Sequence, residues 1–182
     1  MNFVKKQIGD SVLELIVGNI VEQETEAIVN AANKRLAPGG GVAGAIHKAA
    51  GARLWEECKK LGGCETGEAK ITLGYNLKAK YVIHTVGPVY SNSPKDPIDL
   101  RNSYLNCLKL ASENNIKSVS FPAISSGIFG YPKKDASQIA LETIIEYLKS
   151  HNNSIETVKF VLYKPDDFEI FKKTLEDIIG KS

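Results

Sequence analysis

The sequence has almost no excess charge and no long apolar run. Lysine and arginine number 23 and aspartate and glutamate 21, which gives a net charge of +2. Proteins that bind nucleic acid without sequence preference have a clear excess of basic over acidic residues, so nucleic acid is not expected as a partner. No segment approaches the roughly 18 apolar residues of a membrane span, and the first ten residues lack the apolar stretch of a secretory signal. We therefore expect a cytoplasmic protein with no membrane association.

Cysteine is also scarce. Cys58, Cys64 and Cys107 are odd in number, form no Cys-x-x-Cys pair and have no histidine at zinc-finger spacing. Reduced, mostly buried thiols are predicted, with no metal site. Cys58 and Cys64 also lack an activating neighbour, so neither is expected to be a nucleophile.

Short β-branched runs alternate with longer segments of helical period along all 182 residues. Six runs are predicted to be buried strands: 11–17, 27–30, 70–73, 81–86, 118–121 and 157–163. Such alternation predicts an α/β fold with a largely parallel sheet covered on both faces. Because no internal repeat or linker interrupts the pattern, we expect one domain over residues 1–182.

Some helix ends carry local signals. Asp96 followed by Pro97 predicts a capped helix start, and Asp166 with Glu169 three residues later is a variant of the capping box. Gly180 offers an end to the last helix.

A glycine loop follows the second predicted strand. The strand ends in residues 30–33 (NAAN), three glycines follow after a short gap, and a helix is predicted over about 43–50. Glycine lets consecutive amides point at a ligand, and a helix N-terminus adds partial positive charge, so this loop suits a phosphate. Its candidate binding residues are Gly39, Gly40, Gly41 and Val42. The alternative is that the glycines only reverse the chain.

A second loop of this kind follows the strand at 118–121. Its candidate residues are Ser125, Ser126, Gly127, Ile128 and Phe129. Ligands of open parallel sheets bind beyond the carboxyl ends of the strands, so two such loops could hold two linked phosphates. Phe129, and Tyr163 at the end of the last strand, could offer flat faces to a base or sugar.

Two common nucleotide motifs do not fit. Gly39, Gly41 and Gly44 match G-x-G-x-x-G, but the loop does not turn directly off its strand and no acidic residue follows at the required distance. The Walker pattern is absent from the glycine loops.

Candidates for hydrolytic chemistry are few. Asn33 cannot act as a base. His47 is expected to belong to a face of the amphipathic first helix and not to be a catalyst, and His84, inside an apolar strand, is expected to be a hydrogen-bonded core residue.

Four ordered segments resemble the macrodomain family: VNAAN at 29–33, GGGVAGAI at 39–46, YVIHTVGP at 81–88 and FPAISSGIFG at 121–130. The segment at 63–75 (GCETGEAKITLGY) is similar to the MacroD-type branch. The resemblance implies a three-layer α/β/α fold with a mixed, mostly parallel sheet of six or seven strands. It also implies ADP-ribose, free or attached to protein, as ligand, with no cofactor.

The resemblance further implies a role for each candidate residue. Asn19 and Ile20 would meet the adenine, with Tyr163 stacking on it. Val42 and residues 125–129 would hold the diphosphate. Asn33 and the three glycines would surround the distal ribose, with Phe129 against its face, and Asn33 would orient the attacking water together with a ligand phosphate oxygen.

Two positions depart from the family pattern. Asn19 replaces an aspartate, which implies a weaker adenine contact, and Ala43 replaces the aspartate thought to activate water in MacroD-type hydrolases. Three activities are therefore compatible with the sequence. They are hydrolysis of ADP-ribosylated protein esters or O-acetyl-ADP-ribose, recognition of ADP-ribose without turnover, and removal of phosphate from ADP-ribose 1''-phosphate.

Overall fold

The computed structural model describes residues 2–150 and 154–181 and contains a seven-stranded sheet. The strands are β1 (Phe3–Ile8), β2 (Ser11–Val17), β3 (Ala27–Ala31), β4 (Ala69–Leu73), β5 (Tyr81–Thr85), β6 (Ser118–Phe121) and β7 (Thr157–Leu162). The α-helices are α1 (Gly41–Ala50), α2 (Ala52–Cys58), α3 (Lys95–Glu113), α4 (Lys133–Ser150) and α5 (Pro165–Gly180).

The sheet is parallel at its centre and antiparallel at both edges. Its order is β1-β2-β7-β6-β3-β5-β4, and the five central strands all run in the same direction. The edge strands β1 and β4 pair antiparallel with β2 and β5. The predicted mixed, mostly parallel sheet is therefore confirmed.

Helices cover both faces of the sheet because successive apolar residues of its buried strands point to opposite faces. On β3, Val29 belongs to a core shared with α3, α4 and α5, whereas its neighbour Ile28 belongs to a second core shared with α1 and α2. This arrangement confirms the predicted three-layer α/β/α fold.

An aromatic cluster in the larger core supports the loop that follows β6. The ring centroids of Tyr104 on α3 and Phe121 on β6 are 5.5 Å apart. The Tyr104 hydroxyl accepts a hydrogen bond from the Ile124 amide at 3.0 Å. Burial in this cluster raises the pKa of Tyr104, so the hydroxyl stays protonated. The loop is thereby attached to the rigid interior of the protein.

Strand β1 was not among the predicted strands. Its sequence, FVKKQI, is exposed at most positions because it forms one edge of the sheet, and its two lysines are typical of edge strands. A tight turn at Gly9, with φ of +60°, joins it to β2.

Two predicted helix caps are wrong. Asp96 is the second residue of α3, not its cap. Its carboxylate accepts hydrogen bonds from the Ser91 and Ser93 amides at 2.8 and 3.1 Å, so it orders the loop before the helix. Helix α5 begins one residue before Asp166, with Lys164 as its N-cap, because Pro165 occupies the first helical position. Gly180 is the last residue of α5, as predicted.

Candidate functional site

Five parallel strands end at the same edge of the sheet. Across this edge lie, in order, the chain after β2, β7, β6, β3 and β5. Every candidate binding segment therefore lies on one side of the molecule. Asn19 comes first, followed by Tyr163, the loop at 125–129 and the glycine loop with Asn33. We call this side the carboxyl edge.

The glycine loop is held by Asn33. The Asn33 amide oxygen accepts from the Ala37 amide at 3.0 Å, and its amide nitrogen donates to the Ala37 carbonyl at 2.9 Å. A Cβ atom on Gly39 would lie 3.4 Å from the same amide nitrogen. The Asn33 side chain thus clamps the start of the loop and lies beside its glycines.

Five consecutive main-chain amides follow this clamp, and they have no partner. Within the described residues, the amides of 39–43 make no hydrogen bond, and no side chain caps α1, whose N-cap is Gly40. The first free amides of a helix carry partial positive charge. They therefore form a ready donor set for an anion.

Two glycines give the loop its path. Gly41 has a φ of +56°, a backbone conformation that other residues adopt only at a cost. A Cβ on Gly44 would overlap the Gly39 carbonyl oxygen. The helix can therefore lie directly against the loop only when residue 44 is glycine. Ala43, between them, is only 5% exposed in the first turn of α1.

The second loop carries a similar run of donors. The amides of 126–129 make no hydrogen bond within the described part of the chain, whereas the two amides that follow are paired. Gly130 donates to the Gly127 carbonyl at 3.0 Å and Tyr131 to the Ser125 carbonyl at 2.9 Å. These bonds close the loop, so its free amides form a connected group.

Gly87, which follows β5, is a residue whose role the sequence patterns missed. A Cβ there would overlap the Ser125 hydroxyl oxygen and lie 2.6 Å from Ile124. Ser125 has a φ of +65°, and its buried hydroxyl has no hydrogen-bond partner among the described residues. The only local signal for this role was the position of Gly87 between the predicted strand 81–86 and Pro88. The sequence could not show that Gly87 packs against Ser125, which lies 38 positions away.

The residues predicted for an adenine lie at the far end of the same edge. Tyr163 is 77% exposed directly after β7, so its ring is free to stack. The Asn19 amide oxygen accepts from the Val21 amide at 3.2 Å and caps a short 3₁₀ turn, Ile20–Glu22. The Ile20 side chain is buried in the core beside α1, so only its backbone is available to a ligand.

Two apolar residues extend from the tip of the second loop. Ile128 is 100% exposed and Phe129 is partly exposed. The Phe129 carbonyl accepts from the Tyr90 amide at 2.9 Å, which fixes its backbone against the chain that follows β5. Both side chains are therefore accessible beside the free amides of 126–129.

The histidines lie below this edge. His84 is fully buried on β5, with one ring nitrogen 3.1 Å from the Asn30 amide nitrogen and the other 2.9 Å from the Thr72 hydroxyl. Burial lowers its pKa to about 3, so the ring stays neutral. It is the hydrogen-bonded core histidine that the sequence predicts. His47 on α1 is also buried, which lowers its pKa, and its ring nitrogens have no partner among the described residues.

The described cysteines do not have the properties of a nucleophile. The three cysteines are free and buried, and burial raises the pKa of Cys58 and of Cys64 to about 11. In the described part of the chain, no group of three or more His, Cys, Asp or Glu side chains could hold a metal. Of the helices in residues 2–150 and 154–181, none is long and apolar enough to cross a membrane.

The arrangement can bind an anion through main-chain dipoles. Neither 36–43 nor 122–131 contains a charged residue, so the donors are the two runs of free amides at the ends of neighbouring strands. Fixed amides bind without rearranging and are selective for groups that accept several hydrogen bonds. A phosphate or diphosphate meets that requirement.

Comparison with known proteins identifies the family of the chain. A family model described as Macro domain matches residues 29–140. The human ADP-ribose glycohydrolase MACROD2 is 49% identical over 181 residues, which are 97% of this chain and 42% of that protein. The chain thus spans about two fifths of the length of the MACROD2 relatives that it matches.

Solved structures agree over nearly the whole chain. The Oceanobacillus iheyensis macrodomain with ADP superposes with a TM-score of 0.95 at 41% identity, covering 99% of this chain and 98% of that one. The Trypanosoma brucei macrodomain in complex with ADP-ribose gives a TM-score of 0.85 at 40% identity, covering 90% and 68%. Because the family model matches more than half of the chain and the relatives are similar over nearly all of it, the chain belongs to the macro domain family.

Proposed function

We propose that the protein binds ADP-ribose at the carboxyl edge and hydrolyses ADP-ribosyl groups attached to protein carboxylates or to acetate. The observation that carries this proposal is the pair of free amide runs, 39–43 and 126–129, at the ends of neighbouring strands. A diphosphate between them would find donors on both sides. The relatives named as ADP-ribose glycohydrolases, and a neighbour solved with ADP-ribose, support the same ligand.

The order of segments along the edge matches the order of groups in ADP-ribose. Asn19 and Tyr163 lie at one end, where an adenine would stack on the exposed tyrosine ring. The two amide runs come next and would receive the diphosphate. Asn33, at the start of the glycine loop, would lie beside the distal ribose.

Asn33 retains the hydrogen-bonding capacity that the reaction requires. Its side chain offers two donors and two acceptor positions, and the clamp to Ala37 uses one of each. The remaining pair can orient a water molecule toward the distal ribose or toward an attached acyl carbon. Attack at the ribose carbon breaks its bond to the ester oxygen and releases the carboxylate, whereas attack at the acyl carbon releases the ribose hydroxyl. In both cases the products are a ribose hydroxyl and a free carboxylate, and one proton of the water passes to solvent. Such catalysis relies on positioning and on fixed dipoles that stabilise developing charge.

Ala43 favours a second candidate, a module that recognises ADP-ribose without turnover. The first turn of α1 contains no acidic residue, and Ala43 stands where the resemblance places a water-activating aspartate. The two loops at 36–43 and 122–131 contain no acidic residue that could compensate for it. We therefore expect tight binding with slow hydrolysis.

One sample can test both candidates. Calorimetric titration with ADP-ribose measures binding, and incubation of the same protein with a glutamate-linked ADP-ribosylated target measures release of ADP-ribose. Binding with release supports the hydrolase, and binding with an intact ester after stoichiometric incubation supports the reader. Release of inorganic phosphate from ADP-ribose 1''-phosphate would identify a phosphatase instead. Absence of ADP-ribose binding would overturn the proposal.

A further inference from the structure

A separate cavity of about 350 Å³ opens beside the second loop. Its walls come from the chain after β5, the start of α3 and the start of α4. Its lining includes Tyr90, Tyr131, Asp135 and Gln138. The volume is at the low end of the roughly 300–1,000 Å³ of small-molecule sites and is ample for one long side chain.

The cavity is directly connected to the proposed ADP-ribose site. The Tyr90 amide donates to the Phe129 carbonyl and the Tyr131 amide to the Ser125 carbonyl, both at 2.9 Å. Two of its walls are thus anchored to the loop that would hold the diphosphate and the distal ribose. A protein attached to that ribose would leave the site beside Phe129, next to the cavity.

Two tyrosines form the aromatic part of the cavity. Their ring centroids are 4.9 Å apart and their planes are tilted by 57°. Tyr131 is buried and Tyr90 is partly exposed, so the first lies at the base and the second forms an accessible wall. The Tyr131 hydroxyl makes no hydrogen bond within the described residues. The site therefore offers an aromatic surface and an unpaired hydroxyl.

The charge of the cavity is negative. Asp135 is the only charged residue in its lining, and no ion pair of the described residues involves it. Burial raises the pKa of Tyr131, and the nearby carboxylates of Asp96 and Asp135 raise it further. Both acids therefore act on the same region, which disfavours an anionic ligand.

Hydrogen-bonding groups at the cavity favour a donor as ligand. The Gln138 amide nitrogen donates to the Glu142 carboxylate, which leaves its carbonyl oxygen as an acceptor. The Ser91 and Ser93 amides, which could have bound an anion, already donate to Asp96. An aromatic wall with a carboxylate and a carbonyl oxygen is the environment of a bound cation.

We propose that this cavity binds an arginine side chain of the ADP-ribosylated protein, close in sequence to the modified residue. A guanidinium group can stack on Tyr90 while its N–H groups donate to Asp135 and Gln138, whereas an ammonium group cannot stack in this way. This inference rests on the proposed function, because it identifies the protein class that the same site accepts. The substrate is thereby selected by sequence context as well as by its ADP-ribose.

A binding experiment tests the cavity without requiring catalysis. The protein saturated with ADP-ribose is titrated with acetyl-Gly-Arg-Gly-amide, and amide chemical shifts are followed by NMR. A citrulline peptide, which has the same shape without charge, is the matched ligand. We expect shifts at Tyr90, Tyr131 and Gln138 with the arginine peptide, at least about threefold weaker binding of citrulline, and a similar loss in Asp135→Asn.

The matched control variant is Asp177→Asn, which removes the charge of an exposed aspartate on α5. It should bind the arginine peptide as tightly as the unmodified protein does. Unchanged ADP-ribose affinity in Asp135→Asn shows that the variant is folded. Equal binding of the two peptides, or no shifts at the cavity, would overturn the inference.

Kinetics provide the second test. Glutamate-linked ADP-ribosyl peptides with arginine or citrulline near the modified residue are compared by kcat/KM. We expect the arginine peptide to be favoured about fivefold, and Asp135→Asn to abolish the preference while leaving turnover of O-acetyl-ADP-ribose unchanged. Hydrolysis without any preference contradicts the arginine site. If no substrate is hydrolysed, the proposed hydrolase activity has failed, and the peptide titration still decides the cavity.

Discussion

Asn33 and Ala37 are joined by two reciprocal hydrogen bonds, with the Asn33 side chain accepting from the Ala37 amide at 3.0 Å and donating to the Ala37 carbonyl at 2.9 Å. One side chain therefore both shapes the glycine loop and presents its remaining donor and acceptor beside it. Asn33 therefore has a structural role in the loop and a proposed catalytic role, and measurements of binding and of hydrolysis are needed to distinguish the two.

Asn33→Ala removes both roles. We expect hydrolysis of a glutamate-linked ADP-ribosyl target to be lost and ADP-ribose affinity to fall by at most about thirtyfold, because the two lost hydrogen bonds together contribute roughly 2 kcal/mol to loop order. Asn114→Ala is the control, since it removes a side-chain bond to the Leu110 carbonyl in the turn after α3. Single-turnover hydrolysis and calorimetry measure the two effects. Full activity in Asn33→Ala would remove this residue from the mechanism.

Gly41→Ala tests the free-amide run. The substitution places a methyl group in the open space at the start of α1 and strains a backbone with φ of +56°. We expect at least tenfold weaker ADP-ribose binding and a loss of about 1 kcal/mol in the free energy of unfolding. Gly62→Ala carries the same kind of strain, at φ of +75° and also with open space around the Cβ. It should lose stability but keep affinity; equal affinity in both variants would contradict binding at 39–43.

Ala43→Asp tests whether the missing acid limits turnover. The new carboxylate would lie in the first turn of α1, where the helix dipole stabilises negative charge. We expect kcat for ester hydrolysis to rise at least tenfold, within the range of general-base catalysis. Ala43→Asn, which has the same size and no charge, is the control and should give no increase. Equal rates in the two variants would show that a base at this position is not the limiting feature.

Stability should fall in acid because of buried His84. Its pKa is 6.5 in the unfolded chain and about 3 in the folded protein. Above pH 6.5 the ring is neutral in both states. Between pH 6.5 and about 3 only the unfolded state binds the proton, so the free energy of unfolding decreases as pH falls through this window. At pH 5 the decrease is about 2 kcal/mol. Burial of His47 acts in the same direction.

Urea unfolding at pH 7.5 and pH 5.0 measures this effect. His84→Gln can retain hydrogen bonds to Asn30 and Thr72 but does not titrate, so its stability should change less between the two pH values. An equal change in variant and unmodified protein would show that His84 is not responsible.

Five of the six strands predicted from the sequence form the parallel centre of the sheet, and their apolar runs distinguish them from helices. The sixth, β4, was wrongly predicted to be buried, because it is an edge strand in which only Thr72 is buried. β1 was not predicted because its two adjacent lysines interrupt the apolar pattern of the segment. This edge strand is stabilised by its pairing with β2, which the local sequence does not show. The prediction that Asp96 caps α3 was wrong for a related reason. Its carboxylate accepts from the Ser91 and Ser93 amides in the preceding loop, and local sequence rules do not describe such contacts.

The sequence alone determined which local segments could bind an anion, because glycine runs, strand ends and helix starts are properties of neighbouring residues. Only the tertiary structure decided that those segments share one edge. Parallel strands are joined by long crossovers, so residues as distant as Asn19 and Tyr163 become neighbours through strand order rather than through spacing. The close approach of Gly87 to Ser125 and the pairing of Tyr90 with Tyr131 at the cavity were also decided by the tertiary structure. These contacts form when separate segments pack together, so no short stretch of sequence predicts them.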